Sequence, residues 1–195
     1  MFDKVFIEKI NTTLKQGGVI AFVTDTVWGV GCLPDNESGV NKIYEIKNRD
    51  RSKPLILMSN DKKYLMPYVK NLSELENKLI EKYFPGALTL VTEKSEKTPD
   101  FVTSNLNTIG IRVPNNETFQ ELLNIIEGHV LATTSANKSN QPSAKTYEDA
   151  LNKIGDFVDI VIPDFENKCK GLESTVATVN GNDIKILRQG SLNIK

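Results

Sequence analysis

Histidine occurs once in these 195 residues and cysteine twice. His129, Cys32 and Cys169 stand far apart with no Cys-x-x-Cys spacing, so they cannot make up a typical zinc set, and no metal site is expected. The lone histidine has no motif around it, which removes a Ser/His/Asp triad. No apolar run approaches the ~20 residues of a membrane span, so no membrane partner is expected. The start, Met1-Phe2-Asp3-Lys4, lacks the charged-then-apolar pattern of a signal peptide. A reduced, cytoplasmic protein is the expectation. Charge of one sign is also not in excess: 24 Lys and Arg face 25 Asp and Glu, a formal net charge of −1, which argues against a general DNA coater. Familiar nucleotide loops are missing too. There is no Gly-x-x-x-x-Gly-Lys-Ser/Thr, and Gly29-Val-Gly31 lacks the third glycine of a dinucleotide loop. Any bound nucleotide must therefore have its phosphates held by side chains and scattered amides.

What is present reads as one domain over residues 1–195, with 39% apolar residues to build a core and no repeat or long linker. Phe6, Ile10 and Leu14 share a helical face that stops at Gly17-Gly18, and Val19 to Val23 follows as a buried strand. A second helix is predicted from about Asn36 to Lys47, then a strand at Leu55 to Met58. Ser73-Glu-Leu-Glu76 is a capping box that opens a helix ended by Pro85-Gly86. Further strands are predicted at Ala87–Thr92, Thr108–Val113 and Val130–Thr133, with helices around Phe119–Ile126 and after Thr146. Strands near Val158–Ile162, Ser174–Val179 and Asp183–Leu187 close the chain, the last two joined at Asn180-Gly181. This order predicts an α/β fold with a mixed, twisted sheet and helices on both faces.

Polar clusters fall at the strand ends, where ligands collect in open sheets. Lys47-Asn-Arg-Asp-Arg-Ser-Lys53 carries four cations and one anion directly before a strand. It reads as a polyphosphate or nucleic-acid contact, or as a solvated charge run. Thr24-Asp25-Thr26 and Thr133-Thr-Ser-Ala-Asn137 offer hydroxyls and an amide for a small polar ligand, or for their own turns. Arg112 lies inside an apolar strand, so it must meet a structural carboxylate or a bound anion. Arg188 repeats that pattern. His129 reads as structural, and Trp28 and Tyr44 read as core or cavity-wall aromatics.

Taken together the chain resembles the YrdC/Sua5 family of L-threonylcarbamoyladenylate synthases. The likeness is carried by Gly18-Val-Ile-Ala-Phe-Val-Thr-Asp-Thr-Val-Trp-Gly-Val-Gly31 and Ile46-Lys-Asn-Arg-Asp-Arg-Ser-Lys-Pro-Leu55. Gly110-Ile-Arg-Val-Pro114, Thr134-Ser-Ala-Asn137 with Pro142-Ser143, Glu173-Ser-Thr-Val176 and Leu187-Arg188 extend it in family order over nearly the whole chain. The similarity is to the short, single-domain members. It implies a three-layer α/β fold around a strongly twisted mixed sheet with a concave, basic cavity.

The resemblance also implies an activity. Such proteins are nucleotidyltransferases that make threonylcarbamoyl-AMP and pyrophosphate from L-threonine, bicarbonate or CO2, and ATP. Mg2+ comes with the ATP, and no dedicated protein site for it is expected. The product feeds N6-threonylcarbamoyladenosine at position 37 of tRNAs reading codons that start with A, by way of a tRNA threonylcarbamoyl-transfer machinery, with a weak tRNA contact as a further expectation. By the same likeness Arg49, Lys53, Thr108, Ser135, Asn137, Ser143 and Arg188 contact ATP, while Thr26, Arg112, Thr133 and Ser174 hold L-threonine. No general base or nucleophile is implied; Lys47 and Arg49 act by positioning and charge.

Two positions depart from the family pattern. Trp28 stands where a tyrosine or phenylalanine is usual, and Met58 where some members carry a histidine, so Met58 is left out of the site. Two other readings stay open. One is a non-catalytic RNA-binding or ribosome-maturation factor, which would spread its basic residues over one face. The other is a carbamoyl-transfer module, disfavoured because zinc-finger and acylphosphatase-like segments do not accompany it.

Overall fold

Capping side chains start five helices of the computed structural model, which describes residues 2–195. Asp3 caps α1 (Lys4–Lys15), Asn36 caps α2 (Glu37–Lys47) and Asn116 caps α6 (Glu117–Ile125), each accepting from a backbone N–H three residues on. Ser73 and Glu76 form the reciprocal capping box expected for α4 (Glu74–Tyr83). Thr146 caps the short α7 (Tyr147–Ala150), which runs on into a wide turn over Leu151–Gly155. Two further short helices, α3 (Lys62–Leu65) and α5 (Asp100–Thr103), lie in segments where no element was predicted.

The strands are β1 (Ile20–Phe22), β2 (Gly29–Cys32), β3 (Ile56–Ser59), β4 (Leu88–Glu93), β5 (Thr108–Arg112), β6 (Val130–Ser135), β7 (Ile160–Val161), β8 (Thr175–Asn180) and β9 (Asp183–Arg188). They form one nine-stranded sheet in the order β7-β1-β2-β6-β3-β5-β4-β8-β9. The β1/β7, β3/β5 and β4/β8 pairs are parallel and the others antiparallel, so the sheet is mixed, as the sequence predicts. β2 was not predicted. Its first residues pack against Phe22, whose ring would lie 2.9 Å from a Cβ at Gly29 and 3.1 Å from one at Gly31. The glycines that let β2 pair closely with β1 also erase the apolar alternation that would announce a strand.

Successive strand residues face opposite sides. Ala21, Leu57, Ile109, Ile111 and Ala132 join Val40 and Ile43 of α2 and Leu79 and Ile80 of α4 in one apolar cluster. Ile20, Phe22, Met58 and Leu131 join Ile10 and Leu14 of α1 and Phe119, Leu122 and Leu123 of α6 in another. Helices therefore cover both faces. On the α1/α6 face, the cross-strand partners Gly29–Ser135, Gly31–Thr133, Ile56–Thr133, Ile56–Gly110 and Met58–Arg112 continue the sheet beyond the second cluster. Apart from Ile56 and Met58, which border the second cluster, that row holds glycines, hydroxyls and Arg112, which leaves room above the sheet.

Candidate active site

Above this row lies a cavity of about 180 Å³, lined by residues from the β1–β2 loop, β3, β4, β5, β6 and β8 together with Arg49 and Arg188. Arg112 is the charged group set deepest in it. The side chain is 2% exposed and donates through Nε to Gly86 O (2.9 Å), through Nη1 to Thr26 Oγ1 (2.8 Å) and through Nη2 to Asp25 Oδ1 (2.5 Å). A buried arginine in a strand thus has its structural carboxylate, and the remaining Nη N–H groups have no protein acceptor among the described residues. Burial lowers the proton affinity of Arg112, and Asp25 acts against that shift. Thr24 holds the loop in place: its Oγ1 bonds Val27 O at 2.7 Å and lies 3.1 Å from Thr26 Oγ1.

On the β4–β8 side of the cavity, Ser174 Oγ meets Thr89 Oγ1 at 2.8 Å, and Arg188 Nη2 donates to Ser174 O (2.8 Å) and Oγ (3.2 Å). Glu173, half-buried in the lining, accepts from the buried Ser143 Oγ at 2.9 Å. Arg49 follows the left-handed cap Asn48 (φ 46°), which turns the chain off the end of α2. Its guanidinium is fixed by Lys53 O (3.1 Å) and Pro54 O (3.0 Å), so the cation is oriented before any anion arrives. Lys47, the last residue of α2, is 1% exposed and donates to Ser135 O (2.5 Å), Asn137 O (2.6 Å) and Asn137 Oδ1 (2.9 Å). It ties the end of β6 to the loop beyond. Burial, with the charge of Arg49 second, lowers its pKa to about 7.

A family model described as "Telomere recombination", that of the Sua5, YciO and YrdC proteins, matches residues 12–190. This chain belongs to that family. It is 30% identical over 185 residues to a threonylcarbamoyl-AMP synthase of Vibrio parahaemolyticus, covering 94% of this chain and 98% of that protein. It is 33% identical over 193 residues to a putative threonylcarbamoyl-AMP synthase of Methanocaldococcus jannaschii, covering 98% of this chain and 89% of the other. The crystal structure of P. abyssi Sua5 complexed with L-threonine matches with a TM-score of 0.90 at 30% identity, over 98% of this chain. This chain spans 56% of that Sua5 chain. E. coli YciO, at 22% identity and a TM-score of 0.86, shares the fold.

Within this cavity stand Thr26, Arg49, Arg112, Thr133, Ser135, Ser174 and Arg188, all singled out from the sequence. The others lie outside its lining. Lys47 and Asn137 sit behind the wall, joined to each other and, through Asn137 Oδ1, to Ser135 Oγ (2.6 Å). Ser143 reaches the cavity through Glu173. The side chain of Lys53 is exposed, and its carbonyl oxygen is what fixes Arg49. Thr108 is exposed at the start of β5, four residues from Arg112 and so about 13 Å along the strand.

Sequence reasoning missed Asp25, Thr89 and Glu173 as working parts. Asp25 could have been found: it follows a buried strand, and Arg112 needed a carboxylate. Met58, set aside for want of a proton-handling group, lines the cavity next to Arg112, its register partner. Trp28 lines it as well, fully buried against Tyr147 with ring centroids 5.8 Å apart. His129 is structural, its Nδ1 lying 2.7 Å from Leu123 O. Among the described residues no three His, Cys, Asp or Glu side chains come together as a metal-binding group, and no helix is long and apolar enough to cross a membrane.

Proposed function

We propose that this protein is a threonylcarbamoyl-AMP synthase, a nucleotidyltransferase acting on L-threonine, bicarbonate or CO2, and ATP. The observation that carries the reading is a fixed Arg112 fork among hydroxyls at one side of a cavity that also presents Arg49 and Arg188. Relatives of that name match nearly end to end. An amino acid carboxylate suits the planar guanidinium, and a triphosphate suits two fixed cations.

The reaction asks little covalent chemistry of the protein. After the threonine ammonium loses a proton to solvent, the free amine bonds through its lone pair to the carbon of CO2, one C=O π pair moves to oxygen, and a second N–H proton leaves to solvent, giving a carbamate. A carbamate oxygen then bonds to the α-phosphorus while the bond to pyrophosphate breaks and the leaving group takes its electron pair. Holding the two anions together supplies the effective concentration, and the cations offset charge on the departing pyrophosphate. Thr26, Thr133 and Ser174 orient the amino acid around Arg112. Arg49 and Arg188 face the phosphates, with Ser135 beside them. Lys47 and Asn137 act indirectly by holding Ser135 and the loop after it. Lys53, Thr108 and Ser143 remain nucleotide contacts in this proposal.

Mg2+ takes most of its oxygens from phosphate and water. The lining fits a cation delivered in that way, since its donors are mainly hydroxyls, and Ser135 is the one that would face it. When bound, it neutralises charge on the transferred and leaving phosphates. The product serves threonylcarbamoyl transfer to adenosine 37 of tRNAs by a separate machinery, with a cytoplasmic location and, at most, weak contact with tRNA. The test is pyrophosphate release. It should require L-threonine and bicarbonate together, and release without either would refute the reading.

A further inference from the structure

Glu173 belongs to a motif that the sequence singles out and that the proposed reaction leaves without a task. It lines the same cavity as Arg49, Arg112 and Arg188, and of the described residues lining that cavity it is the carboxylate. Asp25, the nearby acid, is committed to Arg112 over 2.5 Å. Glu173 has a different partner: Oε1 accepts from the neutral Ser143 Oγ at 2.9 Å, and no cation among the described residues pairs with it. The side chain is held in place without being neutralised. Its backbone is fixed as well, because Glu173 O accepts from Ser191 N at 2.9 Å and the next residue, Ser174, is bonded to Thr89 and Arg188.

An amino acid enters this cavity as a zwitterion. Arg112 answers its carboxylate, and a half-buried site that accepts the carboxylate must also answer the ammonium, because an unpaired buried charge is costly. We infer that Glu173 is the anionic partner of the substrate ammonium, a specificity-determining residue that selects α-amino acids over their deaminated analogues and fixes the nitrogen at one end of the cavity. This inference rests on the reading of the cavity as an L-threonine site. Ser143 is the positioning residue of the pair. Its hydroxyl leaves Oε2 of Glu173 without a protein partner among the described residues and hence available to the ligand.

The test compares two ligands without nucleotide or Mg2+. One is L-threonine. The other is 2,3-dihydroxybutanoate of matching configuration, in which a hydroxyl replaces the ammonium. Calorimetry of the wild type should show the amino acid binding at least about tenfold tighter, the size of effect expected for a charge-assisted bond. Glu173→Gln, nearly isosteric and uncharged, should lose that preference by weakening L-threonine alone. Glu173→Asp should restore part of it, which guards against reading a folding defect as a binding defect. A Glu173→Gln protein that still prefers L-threonine as strongly as the wild type overturns the inference and leaves the threonine site standing. Equal loss of both ligands overturns it too, since it marks a structural role. Loss of Mg2+-ATP affinity with unchanged threonine preference overturns it in favour of a metal contact. A wild type that binds no L-threonine removes the reading of the cavity and this inference together.

Discussion

Arg112 donates to Asp25 Oδ1 across 2.5 Å, and the two side chains are only 2% and 8% exposed. Neither can be removed alone without stranding its partner's charge out of water, which costs about 3–5 kcal/mol. Asp25→Ala is therefore expected to lower the urea unfolding free energy by about that amount. Arg112→Lys keeps the charge but cannot reach Gly86, Thr26 and Asp25 together. That variant should raise the threonine KM well beyond the ATP KM as well as lowering stability. Steady-state kinetics on protein shown to be folded separates the two effects; a stability loss with equal rises in both KM values would make Arg112 purely structural.

Arg49 and Lys53 lie in one basic run, yet their side chains stand in different places. Arg49 faces the cavity, whereas Lys53 contributes a carbonyl oxygen and leaves its ammonium in solvent. Arg49→Ala should weaken ATP binding by about 1.5–3 kcal/mol, and Lys53→Ala by less than about 1 kcal/mol. Calorimetric titration with ATP decides it. Equal losses would mean that the loop closes over the phosphates on binding.

Burial lowers the Lys47 pKa from 10.5 to about 7. Between those values the unfolded chain binds the proton that the native protein has given up. The contribution of this group is thus fully favourable above the unfolded value and is lost as pH falls through the native one. Against Lys47→Met, wild-type stability should rise from roughly pH 7.5 to 9.5 by on the order of 1 kcal/mol per pH unit. A flat difference would show that the three oxygens around Nζ keep the ammonium charged throughout.

Gly190 supports the site from behind. A Cβ there would lie 2.3 Å from Glu173 O and 2.4 Å from the Ser174 carbonyl carbon, so backbone must move to admit it. Gly190→Ala should lower the melting temperature and weaken threonine binding together. An alanine variant with unchanged threonine affinity would show that Ser174 and Glu173 tolerate the shift.

Most of the fold is legible from periodicity and caps, because residues such as Leu14, Ile43 and Leu122 are buried by helices that can face only one way. β2 is not legible, since Gly29 and Gly31 are chosen for their closeness to Phe22 and carry no pattern. The seven cavity residues were found through a family likeness joined to residue type at strand ends. Asp25, Glu173 and the roles of Lys47 and Asn137 depend on contacts between segments 30 to 90 residues apart, which local sequence does not encode.

The central claim concerns a product. Mass spectrometry of a reaction holding the protein, ATP, Mg2+, L-threonine and carbon-13 bicarbonate reads it directly. A threonylcarbamoyl-AMP peak carrying the label, and lost when any one of the three substrates is left out, is the predicted result. An adenylate that forms without bicarbonate, or no adenylate from a protein that binds both threonine and ATP, would contradict it.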